Sequence, residues 1–321
     1  MKIAVVGPGA LGSLLAVLLA DKASEPILIL DHDGERAALL QGQGLTLEYP
    51  DRLLRVQVLA SADPWACGPV DLLLLCLKST AVASALPSLF PLLNEKSLLL
   101  AFQNGIAHLP LLKKAGLPGA WALAVTSLGA TLLAPGRVRF GGSGQTVFGF
   151  SDKNTEAEGA RLAAAAALFQ AAGLPTRIST DILTPLWDKL LVNAGINALT
   201  ALLQCKNGEL LHRPEALGLL TAAVEEAAAV ARAKGIGIAP EPVARTLAVC
   251  RATAENSSSM LQDVRKRRRT EIEAINGAII AEAEALGIAV PANRQLHAGV
   301  RALEAALAAS CPPGAEHLPG S

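Results

Sequence analysis

The chain has 321 residues, too many for one ordinary hydrophobic core and enough for two domains. Apolar residues make up 51% and charged residues 17%, which excludes an intrinsically disordered chain. Lysine plus arginine (28) balances aspartate plus glutamate (28), so no global basic field exists to hold nucleic acid or a membrane surface.

In chain order, Lys2–Val6 reads as a strand and Leu11–Asp21 as a helix. The uncharged stretch Ile3–Ala20 has the length of a leader or short membrane span, but Gly7-Pro8-Gly9 and Gly12 would break a spanning helix at its centre. A buried strand, a glycine turn and a buried helix fit better, so the expectation is a soluble, cytoplasmic protein. Ile27–Leu30 is a second strand and Arg36–Gln43 a second helix. Val70–Leu77 is a continuous apolar run, as suits a parallel strand covered on both faces. Ser97–Phe102 and Ala120–Thr126 are further strands. Arg137–Phe140 and Thr146–Phe150 read as a terminal pair joined by Gly141–Gln145. The alternation predicts an α/β, Rossmann-type, doubly wound parallel sheet.

After Thr180 the periodicity becomes helical, predicting an all-α C-terminal domain. Helices are expected over Leu186–Leu203, Pro214–Lys234, Pro240–Thr253, Ser259–Leu286 and Asn293–Ala309, punctuated at Gly235 and Gly287. The expected division is a dinucleotide-binding domain over 1–180 and a helical substrate domain over 181–321. The tail from Pro312 is expected to fray. Cys67, Cys76, Cys205, Cys250 and Cys311 are scattered without a CxxC pair, which suits a reducing compartment. No His/Cys cluster has zinc spacing, so no metal is expected.

Gly7-Pro8-Gly9-Ala10-Leu11-Gly12 matches GxGxxG and sits between a predicted strand and helix, where the pattern carries weight. Gly7 allows the tight turn, Gly9 the close approach of a pyrophosphate, and Gly12 the packing of helix on strand. Asp31-His32-Asp33 ends the second strand at close to the ~20-residue spacing of an acidic ribose contact. Two carboxylates there would repel a 2′-phosphate, which favours NAD(H). Against this, Arg36 could reach back, or Asp33-Gly34 is only a turn with Asp31 capping a helix.

Lys189, Asn193 and Asn197 recur at four-residue steps along one helix face, amid Leu190, Leu191, Val192, Ile196 and Leu199. Such a stripe is either solvated or internally paired, or it binds a polar, oxygen-rich substrate. Arg265–Arg269 is a basic run read as a solvated helix face; its alternative role is to attract an anionic substrate or cofactor phosphates. None of His32, His108, His212, His297 and His317 falls in a common motif.

The segment from Lys189 through Asn193 and Asn197 to Asn207-Gly-Glu-Leu resembles the active-site helix of the ketopantoate reductase (2-dehydropantoate 2-reductase) family. Ala254-Glu-Asn256-Ser-Ser-Ser259-Met-Leu-Gln-Asp263, continuing through Thr270-Glu271 to Asn276-Gly277, is similar to that family's C-terminal segment. Lys78 and Gln103-Asn104-Gly105 also match, so the resemblance spans nearly the whole chain.

The resemblance implies hydride transfer from NAD(P)H to ketopantoate, giving pantoate for pantothenate and coenzyme A synthesis. It implies that Lys189 is the general acid and that Glu271 orders the site beside Lys189 and the nicotinamide. Asn193, Asn197 and Asn207 would bind the substrate's polar groups, and Asn256 and Ser259 its carboxylate end. Asn104 would touch cofactor and substrate, while Lys78 and Ala130 would contact the cofactor. The implied cofactor is NADP(H), from which Asp31-His32-Asp33 departs. The implied partner is a small 2-oxo acid, without nucleic acid or membrane, in a homodimer formed through the helical domain. The two signatures would meet at a cleft between the domains. Reduction of another 2-oxo acid, or non-catalytic dinucleotide sensing, are the alternative functions.

Overall fold

A computed structural model describes Met1–Ala309, so Cys311, His317 and the tail from Pro312 lie outside the described residues. The chain divides into two compact units. The first comprises Met1–Gln103 and Leu109–Ile182; the second comprises Asn104–His108 and the residues from Leu183 on.

The first unit contains, in order, β1 (Ile3–Val6), α1 (Ala10–Leu19), β2 (Leu28–Leu30), α2 (Gly34–Gln43), β3 (Leu45–Glu48), β4 (Leu53–Val56), β5 (Leu59–Ser61), β6 (Leu72–Leu75), α3 (Ser79–Leu89), β7 (Leu98–Ala101), α4 (Leu109–Lys114), β8 (Ala120–Thr126), β9 (Gly129–Ala134), β10 (Arg137–Gly142), β11 (Thr146–Gly149), α5 (Glu156–Ala171) and β12 (Thr176–Ile178). Eight strands form one sheet in the order β12-β11-β8-β7-β6-β1-β2-β5. Its pairings are parallel except β8 with β11. Every residue of β1, β6 and β7 is buried, which explains their unbroken apolar sequence. Phe102, Phe148 and Phe169 close the core, their ring centroids 5.0, 6.2 and 6.3 Å apart. The two most buried of these rings each contribute about 1.5–3 kcal/mol by leaving water. This is the Rossmann-type α/β architecture that the alternation predicts.

One sequence expectation fails here. Arg137–Phe140 and Thr146–Phe150 do not pair. β10 joins a separate four-stranded sheet, β4-β3-β10-β9, whereas β11 lies between β8 and β12. Gly141 and Gly142 end β10 and let the chain leave one sheet for the other. Gly142 has φ +131°, and a Cβ at Gly141 would lie 2.8 Å from the Gly129 carbonyl carbon. The small sheet is hard to read because β4 is exposed or half-buried along its length, so no buried run marks it.

The second unit is helical: α6 (Leu183–Leu203), α7 (Pro214–Ala233), α8 (Pro242–Ala252), α9 (Ser259–Arg265), a π-turn over Glu273–Gly277, α10 (Ala278–Leu286) and α11 (Pro291–Ala309). α6 is its axis, packed against α7, α8, α9 and α11. Gly195 admits α7 closely, since a Cβ there would lie 2.8 Å from Val224. Glu226 of α7 accepts the N–H groups of Ala292 and Asn293, at 2.8 and 2.9 Å, and so anchors the start of α11.

Ser259–Leu286 is not the single helix that its periodicity predicts. α9 stops at Arg265, Arg267 takes a left-handed φ of 52°, and helical structure resumes as the π-turn. Beyond Arg265, the last residue of α9, the basic run is therefore a link, not a helix face. At ~100° per residue five successive cations circle a helix completely. A helix buried on one side would have to bury one of them, so the chain turns outward instead. Arg267, Arg268 and Arg269, with Arg301 and Glu304, line a cavity of about 350 Å³.

Candidate active site

The first unit presents a dinucleotide cradle at the end of β1. Gly7 has φ +93°, where a side chain is strained, and a Cβ would lie 2.8 Å from Leu77. A Cβ at Gly12 would lie 2.2 Å from the Gly7 carbonyl and 3.1 Å from Cys76, so only glycine lets α1 pack this tightly. At Gly9, by contrast, an added Cβ meets nothing within 4 Å. That space lies at the N-terminus of α1, where Gly9 supplies no side-chain cap to the first N–H groups. The residues present thus fit a pyrophosphate: open space above Gly9, backbone donors from Ala10 and Leu11, and the positive end of a helix. Lys78 precedes α3 directly after β6, next to Leu77 against the turn. Ala130 lies on β9, half-buried against the core that includes α1, and pairs with Phe140.

Asp31 is 2% exposed, and its carboxylate is held by Arg36 through Nε and Nη2. The Asp33 N–H donates to Asp31 Oδ1 at 3.1 Å. Asp33 caps α2 by accepting the N–H groups of Arg36 and Glu35, both at 3.0 Å, and these hold its carboxyl below the usual carboxylate range. Neither carboxylate acts as an isolated negative charge. Arg36 does reach back, but toward Asp31, and Asp33 is the capping residue.

The second unit gathers the ionisable pair. Lys189 is half-buried on α6, between the buried Trp187, Leu190 and Leu191. Burial pushes its ammonium pKa down to about 8, and the charge of Glu271 opposes that fall. Glu271 is 8% exposed, and Asn104 Nδ2 donates to its Oε2 at 2.9 Å. Asn193, half-buried, and Asn197, buried, follow Lys189 on successive turns of α6. Asn197 Nδ2 lies 3.4 Å from Oγ of Ser259, the exposed first residue of α9. The structure therefore brings Asn104, Lys189 and Glu271 together, and Asn197 with Ser259.

Asn207 and Asn256 form a different pairing. The Asn207 N–H donates to the Asn256 carbonyl at 3.1 Å, and Asn207 Nδ2 donates to Thr253 Oγ1 at 2.9 Å. Asn207 Oδ1 is buried without a hydrogen-bond partner among the described residues, whereas Asn256 is exposed. The basic run and the histidines among the described residues supply none of these contacts. Among the described residues, no three His, Cys, Asp or Glu side chains converge as metal donors, and no helix is long and apolar enough to cross a membrane.

Sequence reasoning assigns no role to three residues that shape these sites. Gln103 donates its amide to the carbonyls of Leu75 and Leu77, at 2.8 and 3.1 Å, fixing the end of β6. Gly105 and Ala274 hold the segment that carries Asn104. The one signal for them is an Asn-Gly step directly after an apolar strand, which marks a turn but not its partner.

Comparison with known proteins agrees over both units. A family model described as "Ketopantoate reductase PanE/ApbA" matches residues 3–153, and "Ketopantoate reductase PanE/ApbA C terminal" matches residues 181–304. The chain is 35% identical to a 2-dehydropantoate 2-reductase of Halobacterium salinarum, over 92% of this chain and 96% of that one. The crystal structure of a PanE/ApbA family ketopantoate reductase from Ralstonia eutropha superposes with a TM-score of 0.87 at 34% identity, covering 96% of this chain and all (100%) of that one. A D-mandelate dehydrogenase solved with NADH and anilino(oxo)acetate superposes with a TM-score of 0.88 at 27% identity, covering 96% and 100%. With both family models matched and relatives aligned along nearly its whole length, the chain belongs to the ketopantoate reductase PanE/ApbA family of NAD(P)H-dependent 2-oxo acid reductases.

Proposed function

We propose that this protein reduces ketopantoate to pantoate, with Lys189 as the proton donor and NADH as the favoured reductant. The observation that carries the proposal is the Lys189–Glu271 pair, with the buried Glu271 held by Asn104. When bound, the reduced nicotinamide supplies the hydride to the keto carbon. The carbonyl π pair then moves onto oxygen, and Lys189 gives its proton to that oxygen. A lysine with its pKa near 8 is still an ammonium at neutral pH, yet it releases a proton more readily than an exposed lysine. Its charge faces the developing alkoxide, where a low-dielectric setting strengthens the attraction. Glu271 keeps the ammonium charged against the cost of burial. Asn193, Asn197 and Asn207 bind the substrate's hydroxyl and carbonyl oxygens, and Asn256 and Ser259 its carboxylate. Reduction requires the nicotinamide end of the dinucleotide to reach Lys189, with Lys78, Asn104 and Ala130 contacting the cofactor.

The preference for NADH rests on the strand tip. Arg36 is committed to Asp31, so a 2′-phosphate would have to break that pair and displace Asp33 from its cap. The likeness to D-mandelate dehydrogenase favours a second reading, in which a bulkier 2-oxo acid is reduced. Loss of reduced-nicotinamide absorbance decides between them, with ketopantoate and phenylglyoxylate offered in parallel and NADH and NADPH compared. Higher kcat/KM with ketopantoate supports the first reading; higher kcat/KM with phenylglyoxylate replaces it.

A further inference from the structure

The π-turn and the Asn104–His108 segment meet through a specific backbone exchange. In an uninterrupted α-helix the Ala274 carbonyl would accept the N–H four residues on. Here it accepts the N–H of Ile106, at 3.1 Å. The turn instead closes five residues apart, with the Gly277 N–H donating to the Ile272 carbonyl at 3.0 Å. Opening the helix by one residue thus releases a carbonyl to a strand-end loop distant in sequence.

Only glycine fits where the two backbones cross. Gly105 has φ +75°, and a Cβ built there would lie 1.9 Å from Ala274 O and 2.5 Å from its carbonyl carbon. Both neighbours are backbone, so no side-chain rotation can relieve the clash. The residue before this glycine is Asn104, whose amide reaches Glu271 Oε2. The residue two before the π-turn is Glu271 itself. One crossing therefore controls both ends of the Asn104–Glu271 hydrogen bond.

The far side of the turn is pinned as well. Asn276 is fully buried, and its Nδ2 donates to the Ala194 carbonyl of α6 at 3.2 Å and to Asn293 Oδ1 at 3.0 Å. Asn293 Nδ2 continues to the Ala223 carbonyl at 3.0 Å and to Glu226 Oε2 at 2.8 Å. Ala194 adjoins Asn193 on the helix that carries Lys189. Asp188, the acidic neighbour of Lys189 on that helix, is engaged by Arg245 and by the Ala239 N–H, which leaves Glu271 as the carboxylate acting on the lysine.

Taking Lys189 and Glu271 as the reacting pair proposed above, we propose that Gly105 and Asn276 are positioning residues that clamp the π-turn from two sides and hold the Glu271 carboxylate against Lys189. Gly105 lets the loop lock onto Ala274, and Asn276 ties the same turn to α6. Neither touches the reacting atoms.

The test compares Gly105→Ala and Asn276→Ala, each alone and combined with Glu271→Gln, by kinetics and by NMR titration of Lys189 in protein with ¹³C-labelled lysine. Each single variant is expected to lower kcat by up to about a hundredfold, the cost of a small misplacement, and Asn276→Ala should leave dinucleotide Kd unchanged. The Lys189 midpoint should fall in each, because the carboxylate that raises it has moved away. In the Glu271→Gln background each should add less than twofold, since the group it positions has lost its charge. Full additivity with Glu271→Gln, or an unshifted Lys189 midpoint in a folded variant, overturns the proposal. If Gly105→Ala does not fold, Asn276→Ala decides, because it reaches the turn without crowding the loop. Failure of the wild-type protein to turn over any 2-oxo acid would count against the reductase reading, while the NMR midpoints would still judge the clamp.

Discussion

The dinucleotide cradle and the lysine cluster differ in how they are built. The cradle comes from one stretch of six residues, and its working parts are absences of side chain: the turn at Gly7, the open space at Gly9 and the close packing at Gly12. The lysine cluster draws Asn104, Lys189 and Glu271 from three distant segments, and its working parts are side chains held in a particular relation. A cradle made of backbone tolerates few substitutions, and its six residues are consecutive even though Gly7 and Gly12 pack against Leu77 and Cys76. A cluster made of side chains depends on every element that places them, including a π-turn and a glycine crossing.

Substitutions in the two regions should therefore separate cleanly. The largest effect is expected at Lys189. Lys189→Ala should lower kcat by about 10²–10⁴-fold, the usual worth of a positioned acid, with dinucleotide Kd unchanged in a fluorescence titration. Near-normal turnover would remove Lys189 as the proton donor. The same lysine sets a pH limit, because the acid must carry its proton: kcat/KM for reduction should be level below about pH 8 and fall about tenfold per unit above it. Stability runs the other way. The folded pKa is depressed to about 8, so between there and the unfolded lysine value of ~10.4 the unfolded chain holds the proton and folding stability rises with pH. The stability difference between the wild type and Lys189→Met, followed by denaturant unfolding, should accordingly shift in the wild type's favour between about pH 8 and about pH 10.4.

Within the cradle, Gly9→Val and Gly12→Val should part company. Gly9→Val faces open space and should keep its Tm while weakening dinucleotide binding at least tenfold, about 1.4 kcal/mol. Gly12→Val forces a branch into the Gly7 carbonyl and should cost stability first, by about 1–3 kcal/mol or more. Equal loss of stability in both would mean that the space at Gly9 closes in solution. Asn193→Ala and Asn197→Ala should each raise the substrate KM by up to about tenfold, the worth of one hydrogen bond, with little change in kcat. Unchanged KM in both would take that face of α6 out of the binding site. The smallest shift is expected at the strand tip. Asp31→Ala releases Arg36 and should improve the NADPH-to-NADH ratio of kcat/KM by a few fold. An unchanged ratio would mean that neither residue reads the ribose.

Much of the first unit was legible because its signals are local. The apolar runs at β1, β6 and β7 and the glycine turn between β1 and α1 are set by residues adjacent in sequence, and periodicity reports them directly. The stripe of Lys189, Asn193 and Asn197 was legible for the same reason, since four-residue steps align side chains on any helix. The error at β10 and β11 arose because two short strands with a glycine link look alike whether they pair with each other or enter different sheets. The error over Ser259–Leu286 arose because arginine and lysine are good helix formers, so composition continues the helix through a basic run where the folded chain turns out at Arg267.

By itself the sequence determined the alternation of strand and helix, the glycine turn and the polar stripe on α6, because each is fixed by near neighbours and backbone geometry. Tertiary structure alone decided that Asp31 is held by Arg36, that Asn104 serves Glu271, and that Ala274 yields its carbonyl to Ile106. Those choices depend on which donors and acceptors burial leaves without water, and a buried group takes whatever partner the packed chain brings within reach.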